Sequence, residues 1–228
     1  MFICLAILGC KGVYDGPPPS GDGAAIYGRV LGILGSGINE VQICAKEVDV
    51  PCVTTEKDGD FLLDHLPEDE DIVVVMKRDG YLTTAYHHNT SLAQEWRKTL
   101  MSDSIINTMT SRAETEQKPG KGHAMFIVWS GPDYDEFDRV EGISVTIRPS
   151  QGEKFYQAGG GFPDPELKAT SNSGGGGVFN LEPGDYELTF SGAGKTCEPW
   201  FSHDFEPGEP VPMTVYPEMG SYIDLVCK

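Results

Sequence analysis

The residues of this chain best suited to chemistry fall into three groups. Asp133, Asp135 and Asp138 lie in the loop Gly131-Pro-Asp-Tyr-Asp-Glu-Phe-Asp138. Carboxylates at alternating or near-alternating positions are a candidate calcium site, although the glycine and closing glutamate of a calcium-loop frame are missing. His87 and His88, with Tyr81 and Tyr86 nearby, offer imidazole and phenol ligands for a transition metal. Adjacent residues on a strand point to opposite faces, however, so the two histidines cannot readily share one ion, and an exposed loop is the plainer reading. The third group is aromatic: Trp129, Tyr134, Tyr156 and Trp200, accompanied by Phe155, Phe162 and Phe201. Flat rings beside carboxylates and amides suit stacking on sugars, and the same rings also serve as core and loop anchors in a β fold. No Ser-His-Asp order, phosphate-binding loop, nucleophile elbow or H-E-x-x-H is present. The expectation is therefore a non-enzyme with no cofactor, calcium at the three aspartates being the one candidate ion.

Six cysteines point to an oxidising compartment. Cys4 and Cys10 belong to the first ten residues, which leaves Cys44, Cys52, Cys197 and Cys227, and four cysteines allow three pairings. Cys44 and Cys52 flank a short stretch that ends in Pro51, a spacing that lets them face each other on adjacent strands. Cys197 with Cys227 would then tie the last strand to its own domain. No pair has the C-x-x-C spacing of a structural zinc site.

The opening residues, Met1-Phe-Ile-Cys-Leu-Ala-Ile-Leu-Gly-Cys10, form an apolar run too short for a bilayer, which needs about 20 such residues. The small Gly9 before Cys10 resembles the processing site of a bacterial lipoprotein signal, although no Lys or Arg precedes the run. That resemblance implies removal of residues 1–9, acylation of Cys10, and a Pro- and Gly-rich tether over residues 10–23. Lys11, in place of an aspartate, is similar to lipoproteins sent on to the outer membrane. A buried strand over residues 2–8 is the alternative.

Charge narrows the partners. With 35 acidic and 17 basic residues the net charge is −18. Phosphate backbones need a basic face, so nucleic acid is excluded, and no nucleotide motif is present. An acidic surface keeps a tethered protein soluble and draws cations or basic partners.

The elements that must position these groups read as short strands. Ile26-Tyr-Gly-Arg-Val30, Val41-Gln-Ile-Cys-Ala45 and Cys52-Val-Thr-Thr55 are bounded by turn residues. Lys57-Asp-Gly-Asp60 is a hairpin signal before Phe61-Leu-Leu63, and Ile72-Val-Val-Val-Met76 has the uniformity of a buried strand. Tyr81-Leu-Thr-Thr-Ala-Tyr86 closes this unit. Leu92, Trp96, Leu100, Ile105, Ile106 and Met109 recur at helical spacing and predict two short helices interrupted at Ser102-Asp-Ser104, with a polar linker to follow over residues 111–121. Beyond it, Ala124-Met-Phe-Ile-Val-Trp129, Ile143-Ser-Val-Thr-Ile-Arg148, Val178-Phe-Asn-Leu181 and Tyr186-Glu-Leu-Thr-Phe190 repeat the grammar of strand and turn. Phe179 corresponds to Phe61, and Glu182-Pro183 to Leu66-Pro67. A long insertion, residues 148–168, sets this second copy apart.

The order Ile26-x-Gly28-x-Val30, Val41-x-Ile43, Thr55-x-x-Asp58-Gly59-x-Phe61, Leu66-Pro67, Asp79-Gly80-Tyr81 resembles the carboxypeptidase regulatory-like domain. The resemblance covers about 65 residues and implies a seven-stranded prealbumin-like sandwich that accompanies peptidases, receptors and surface lipoproteins without catalysing anything itself. Residues 155–190 and the last two cysteines are also similar to envelope lipoproteins of predatory and social deltaproteobacteria. The expectation is thus an all-β chain of two antiparallel prealbumin-like sandwiches, residues 24–89 and 122–228, joined by a helical connector and linker over residues 90–121. The expected function is binding of an envelope or prey polysaccharide or protein at the outer membrane through Trp129, Tyr134, Tyr156 and Trp200. The alternative is a structural spacer or assembly subunit. Binding requires those rings to stay exposed in a concave patch; a spacer takes them into its core.

Overall fold

Alternating β-branched and apolar residues between Gly, Pro and Asp turns become strands along nearly the whole chain. The computed structural model describes residues 23–91, 95–131, 139–200 and 205–228. The expected leader, Cys10 and most of the tether lie outside the described residues, as do Leu92, Asp133, Tyr134, Asp135, Asp138 and Phe201.

The first sandwich uses β1 (Ala24–Leu31), β2 (Gln42–Lys46), β3 (Val53–Thr54), β4 (Asp60–Leu66), β5 (Asp71–Lys77), β6 (Thr83–Asn89) and β7 (Glu95–Thr99). One layer has the order β4-β1-β7 and the other β3-β2-β5-β6. Ile26, Val30, Ile43, Leu63, Val74 and Trp96 fill the space between them. The second uses β8 (Gly122–Trp129), β9 (Ile143–Arg148), β10 (Glu153–Tyr156), β11 (Gly175–Leu181), β12 (Gly184–Gly192), β13 (Cys197–Pro199), β14 (Val211–Val215) and β15 (Met219–Cys227). Its layers run β14-β12-β9 and β10-β11-β8-β15 around Phe126, Val128, Val145, Leu188, Phe190 and Ile223.

The two units share one plan. β11-β8-β15 repeats β4-β1-β7, and β9-β12-β14 repeats β2-β5-β6. In each unit the last strand returns parallel to the first, β7 beside β1 and β15 beside β8. Phe61 and Phe179 fall on the matching strands β4 and β11. The copies differ in where the third strand goes: β3 pairs with β2, whereas β10, from the insertion, pairs with β11.

A third parallel pairing joins the units, because Met219 to Tyr222 of β15 lie in register with Thr83 to Tyr86 of β6. The result is one nine-stranded sheet through the molecule, with β13 added to the far end of β15. Side-chain parity shows where the smaller sheets lie. On β15, Ile223 and Leu225 enter the second core, while Tyr222 points to the opposite face with Tyr86 and the first core. The three-stranded sheets therefore pack on opposite faces of the central sheet. Most pairings are antiparallel, as expected of an all-β sandwich protein; the three parallel ones come from a last strand laid beside a first, and from the fusion.

The segment read as two helices is a strand followed by one helix. Leu92, Trp96 and Leu100 are four apart, a spacing that fits a period of two as well as one of 3.6. In the structure Trp96 and Lys98 are buried while Glu95, Arg97 and Thr99 are exposed, so strand alternation prevails. The strand pairs with β1 where Gly28 faces Trp96. A Cβ on Gly28 would lie 2.0 Å from the Trp96 carbonyl oxygen, which explains the glycine. The helix, α1 (Asp103–Arg112), begins at the predicted interruption because Ser102 is its N-cap and accepts a hydrogen bond from the Ile105 N–H. Ile106 and Met109 pack with Met125, Phe155 and Phe179 on the central sheet.

The polar linker that follows is fastened to the sheet. Asn180, buried at φ 59° where β11 bulges, accepts from the Lys118 N–H at 3.0 Å and donates to the Glu116 carbonyl at 2.9 Å.

Candidate functional site

Where the two sandwiches meet, the last strands of both copies approach each other. β7 places Trp96 and Lys98 on its inner side, and β15 places Tyr222 and Asp224 on the face turned toward β7. Lys98 Nζ contacts Asp224 Oδ2, with side chains only 9% and 13% exposed. The ammonium lies 5.0 Å from the Tyr86 ring centroid and 5.1 Å from that of Trp96, within cation–π range. Trp129 Nε1–H donates to Asp224 Oδ1 at 3.2 Å. Arg139 stacks on the Trp129 ring at 3.7 Å and donates through Nη1 to the Ser173 carbonyl at 3.2 Å.

His88 belongs to the same cluster. It follows Tyr86 by two residues on β6, as Asp224 follows Tyr222 on β15, so both lie on one face of the sheet. Its ring meets Trp96 edge-on at 4.9 Å, and Nε2 is buried without a hydrogen-bond partner. Burial, reinforced by the Lys98 charge and opposed by Asp224, pushes its pKa down to about 3, so the imidazole is neutral. Burial, with Asp224 adding, pushes the Tyr222 phenol up to about 12. His87 points to the other face, into a cleft of about 210 Å³ with Phe205 and Pro212. Both histidines are thus strand residues and largely buried; the expectation of an exposed loop is corrected.

Above the cluster is a cleft of about 240 Å³, lined by Leu31, Arg97, Trp129, Arg139 and Tyr222 among others. A second of about 350 Å³ shares Arg139 and Tyr222 with it and continues past Gln157 and Asn172. The turn carrying Ile33 and the 93%-exposed Leu34 borders both.

The rings proposed to bind sugar do not form one platform. Trp129 and Tyr156 are 6% and 5% exposed. Trp129 lies beneath Arg139 at the seam. Tyr156 is in the second core, edge-on to Phe126 at 6.4 Å, and its Oη accepts from the Val145 N–H at 2.9 Å. Trp200 is half-buried and reaches β15 by its backbone, its N–H donating to the Asp224 carbonyl. Tyr156 also borders a cleft of about 450 Å³ with Lys154, Asp164 and Lys168, between β9–β10 and the insertion. Among the described residues no group of three or more His, Cys, Asp or Glu is placed to hold a metal ion; the three aspartates of the calcium reading lie outside them.

Both disulfides join near neighbours on paired strands. Cys44 bonds Cys52, one step beyond the Ile43–Val53 pair, and Cys197 bonds Cys227, its register partner. No helix among the described residues is long and apolar enough to cross a membrane.

The residues that sequence reading missed are Lys98, Arg139 and Asp224. The available signal was a lone charge inside an apolar alternation: Lys98 between Trp96 and Leu100, and Asp224 in Tyr222-Ile-Asp-Leu-Val226.

No protein-family model matches the chain, and comparison with curated proteins finds no match. Among solved structures the chain is similar to the TIE protein of Bacillus anthracis, at 14% identity and a TM-score of 0.30, covering 90% of this chain and 34% of that one. A streptococcal ancillary pilin follows at 13% identity and 0.26, covering 88% and 62%. The major pilin of Streptococcus pyogenes gives 11% and 0.27, covering 91% and 99%. The chain thus spans about a third and about three fifths of the first two. The fold assignment stands on the strand order described above.

Proposed function

We propose that the chain is a non-catalytic structural module of a bacterial envelope: a rigid spacer or assembly subunit, lipid-anchored at Cys10 and built from two carboxypeptidase regulatory-like sandwiches. One observation carries this reading. The two sandwiches share a continuous sheet through β6 and β15, so bending between them would break strand hydrogen bonds and open the seam around Lys98 and Asp224. The uptake of Trp129 and Tyr156 into packed surroundings agrees with a spacer, since a stacking platform needs open rings. Two disulfides and a net charge of −18 suit an exported, soluble body on a tether.

Small-angle scattering of the fragment from Ser20 to Lys228 tests rigidity. One fixed body should account for the profile at low and high salt; a fit that requires two hinging halves refutes the reading. The ligand-binding alternative has the cleft beside Tyr156 in its favour. A polysaccharide array with this fragment, with and without calcium, is expected to be blank. Binding abolished by Tyr156→Ala or Trp200→Ala in a folded protein would reverse the choice, and a calcium requirement would direct attention to Asp133, Asp135 and Asp138.

A further inference from the structure

The buried seam holds an amine, a carboxyl and an unpartnered base in one cluster, and the spacer reading uses none of their chemistry. We infer that Lys98 and Asp224 condense into an amide, a covalent Nζ–Cγ cross-link between the last strand of the first sandwich and the last strand of the second.

Three features of the seam support the bond. The first is proximity. The amine and the carboxyl are in contact, 126 residues apart in sequence, and held by two finished sandwiches. Effective concentrations for reacting groups positioned in this way reach about 10⁵–10⁸ M. The second is solvation. A charged pair removed from water is penalised far more than a neutral amide, so burial raises the ion pair relative to the condensed product and the water it releases. The third is the distribution of donors and acceptors. Trp129 Nε1–H is directed at Oδ1, the oxygen not in contact with Lys98, and so stabilises negative charge on that atom as Cγ becomes tetrahedral.

The step balances without any co-reactant. One proton passing within the contact converts ammonium and carboxylate to amine and carboxylic acid. The Nζ lone pair attacks Cγ, and the proton then shed by Nζ goes to Nε2 of His88. This nitrogen is buried, neutral and without a hydrogen-bond partner. His88 returns the proton to the departing Oδ2 hydroxyl, which leaves as water. The Nζ–Cγ bond forms, the Cγ–Oδ2 bond breaks, and Oδ1 becomes the amide oxygen, still accepting from Trp129. No group is oxidised or reduced. The nitrogen that His88 keeps free is what a proton carrier requires.

The bond is independent of the spacer function, and its test does not assay function. The intact mass of the purified chain should fall one water below the sequence mass, beyond the four hydrogens lost to the two disulfides. Tryptic digestion after reduction should yield a branched peptide joining residues 98–112 to residues 196–228. Lys98→Arg and Asp224→Ala should each restore the full mass. A natively folded wild-type chain at full mass after prolonged incubation overturns the proposal and leaves an ion pair. His88→Ala, folded by circular dichroism, should remain uncondensed or condense at least tenfold more slowly; an unchanged rate would remove His88 from the step.

Discussion

Acidification from pH 7 to 5 should destabilise the fold well before its carboxylates are neutralised. His88 and His123 are both buried, with folded pKa values pushed from 6.5 to about 3 and about 4, in each case chiefly by desolvation. The pressures on His88 come from Lys98 and Asp224; His123 faces Phe179 edge-on at 5.3 Å and feels Glu153. The folded state keeps both rings neutral, whereas the unfolded chain binds protons at each below pH 6.5. Stability is therefore complete above pH 6.5 and is lost as pH falls toward the folded values. Per histidine the loss between pH 7 and 5 is about 2 kcal/mol, so about 4 kcal/mol for the pair, a large part of the roughly 5–15 kcal/mol available to a domain. His87, lowered mainly by burial, acts in the same direction. The structural event is identifiable at His123, whose Nδ1 accepts from the Asn180 N–H at 3.2 Å and cannot do so once protonated. Urea unfolding followed by tryptophan fluorescence at pH 7, 6 and 5 measures the effect, and His123→Gln should remove about half of the pH dependence. An unfolding free energy that stays flat over this range, with an unchanged denaturant slope, would refute the assignment of these imidazoles as buried and neutral.

Gly177→Ala should cost about 3 kcal/mol or more, because its Cβ would lie 2.3 Å from the Ala124 carbonyl oxygen and 2.8 Å from the Phe155 ring; thermal unfolding of the variant measures this. Replacing Cys197 and Cys227 together by alanine should cost about 4 kcal/mol by loop entropy, and the same change at Cys44 and Cys52 about 3 kcal/mol, since the loops they close span separations of 30 and 8 residues. Denaturant titration of the two double variants tests that order, and a reversed order would show that the bridges do not act mainly on the unfolded chain. Cys10→Ala should abolish incorporation of labelled palmitate and release the protein from the membrane fraction; retained label would refute the anchor.

How much of this could be read from sequence depends on whether one period explained a segment. Strands such as Ile143 to Arg148, with one face inward, were legible because alternation has no competing account there. Residues 95–99 were not, since apolar residues four apart satisfy both periods and the other inward residue of the strand, Lys98, is charged. The glycine run Gly174 to Gly177 reads as a turn, yet Gly175–Leu181 is a wholly buried strand. Glycine is required because rings cross both of its faces: a Cβ on Gly176 would lie 2.7 Å from Phe126, and one on Gly177 would meet Phe155. Those rings come from distant strands, and no local pattern announces them.

The seam was illegible for a related reason. Lys98 and Asp224 each read alone as a solvated charge, and only the repeat explains why they meet. Each lies on the last strand of its copy, and in each copy that strand returns parallel beside the first. Joining the copies through β6 and β15 brings β15 onto the face that β7 covers, so the two closing strands carry complementary charges to one buried point. Such a contact forms only after both copies have assembled in the correct register. A one-residue slip of β15 would turn Asp224 toward the apolar core of the second sandwich and leave Lys98 buried without its carboxylate, a penalty of about 3–5 kcal/mol. The pair therefore selects one register for the fused sheet before it condenses to an amide. Lys98→Met with Asp224→Leu should cost about 5 kcal/mol, the loop entropy of a cross-link spanning 126 residues, while broadening the amide resonances of β6 and β15 in NMR spectra. Sharp spectra from that double variant would mean that the strands find their register without the charges.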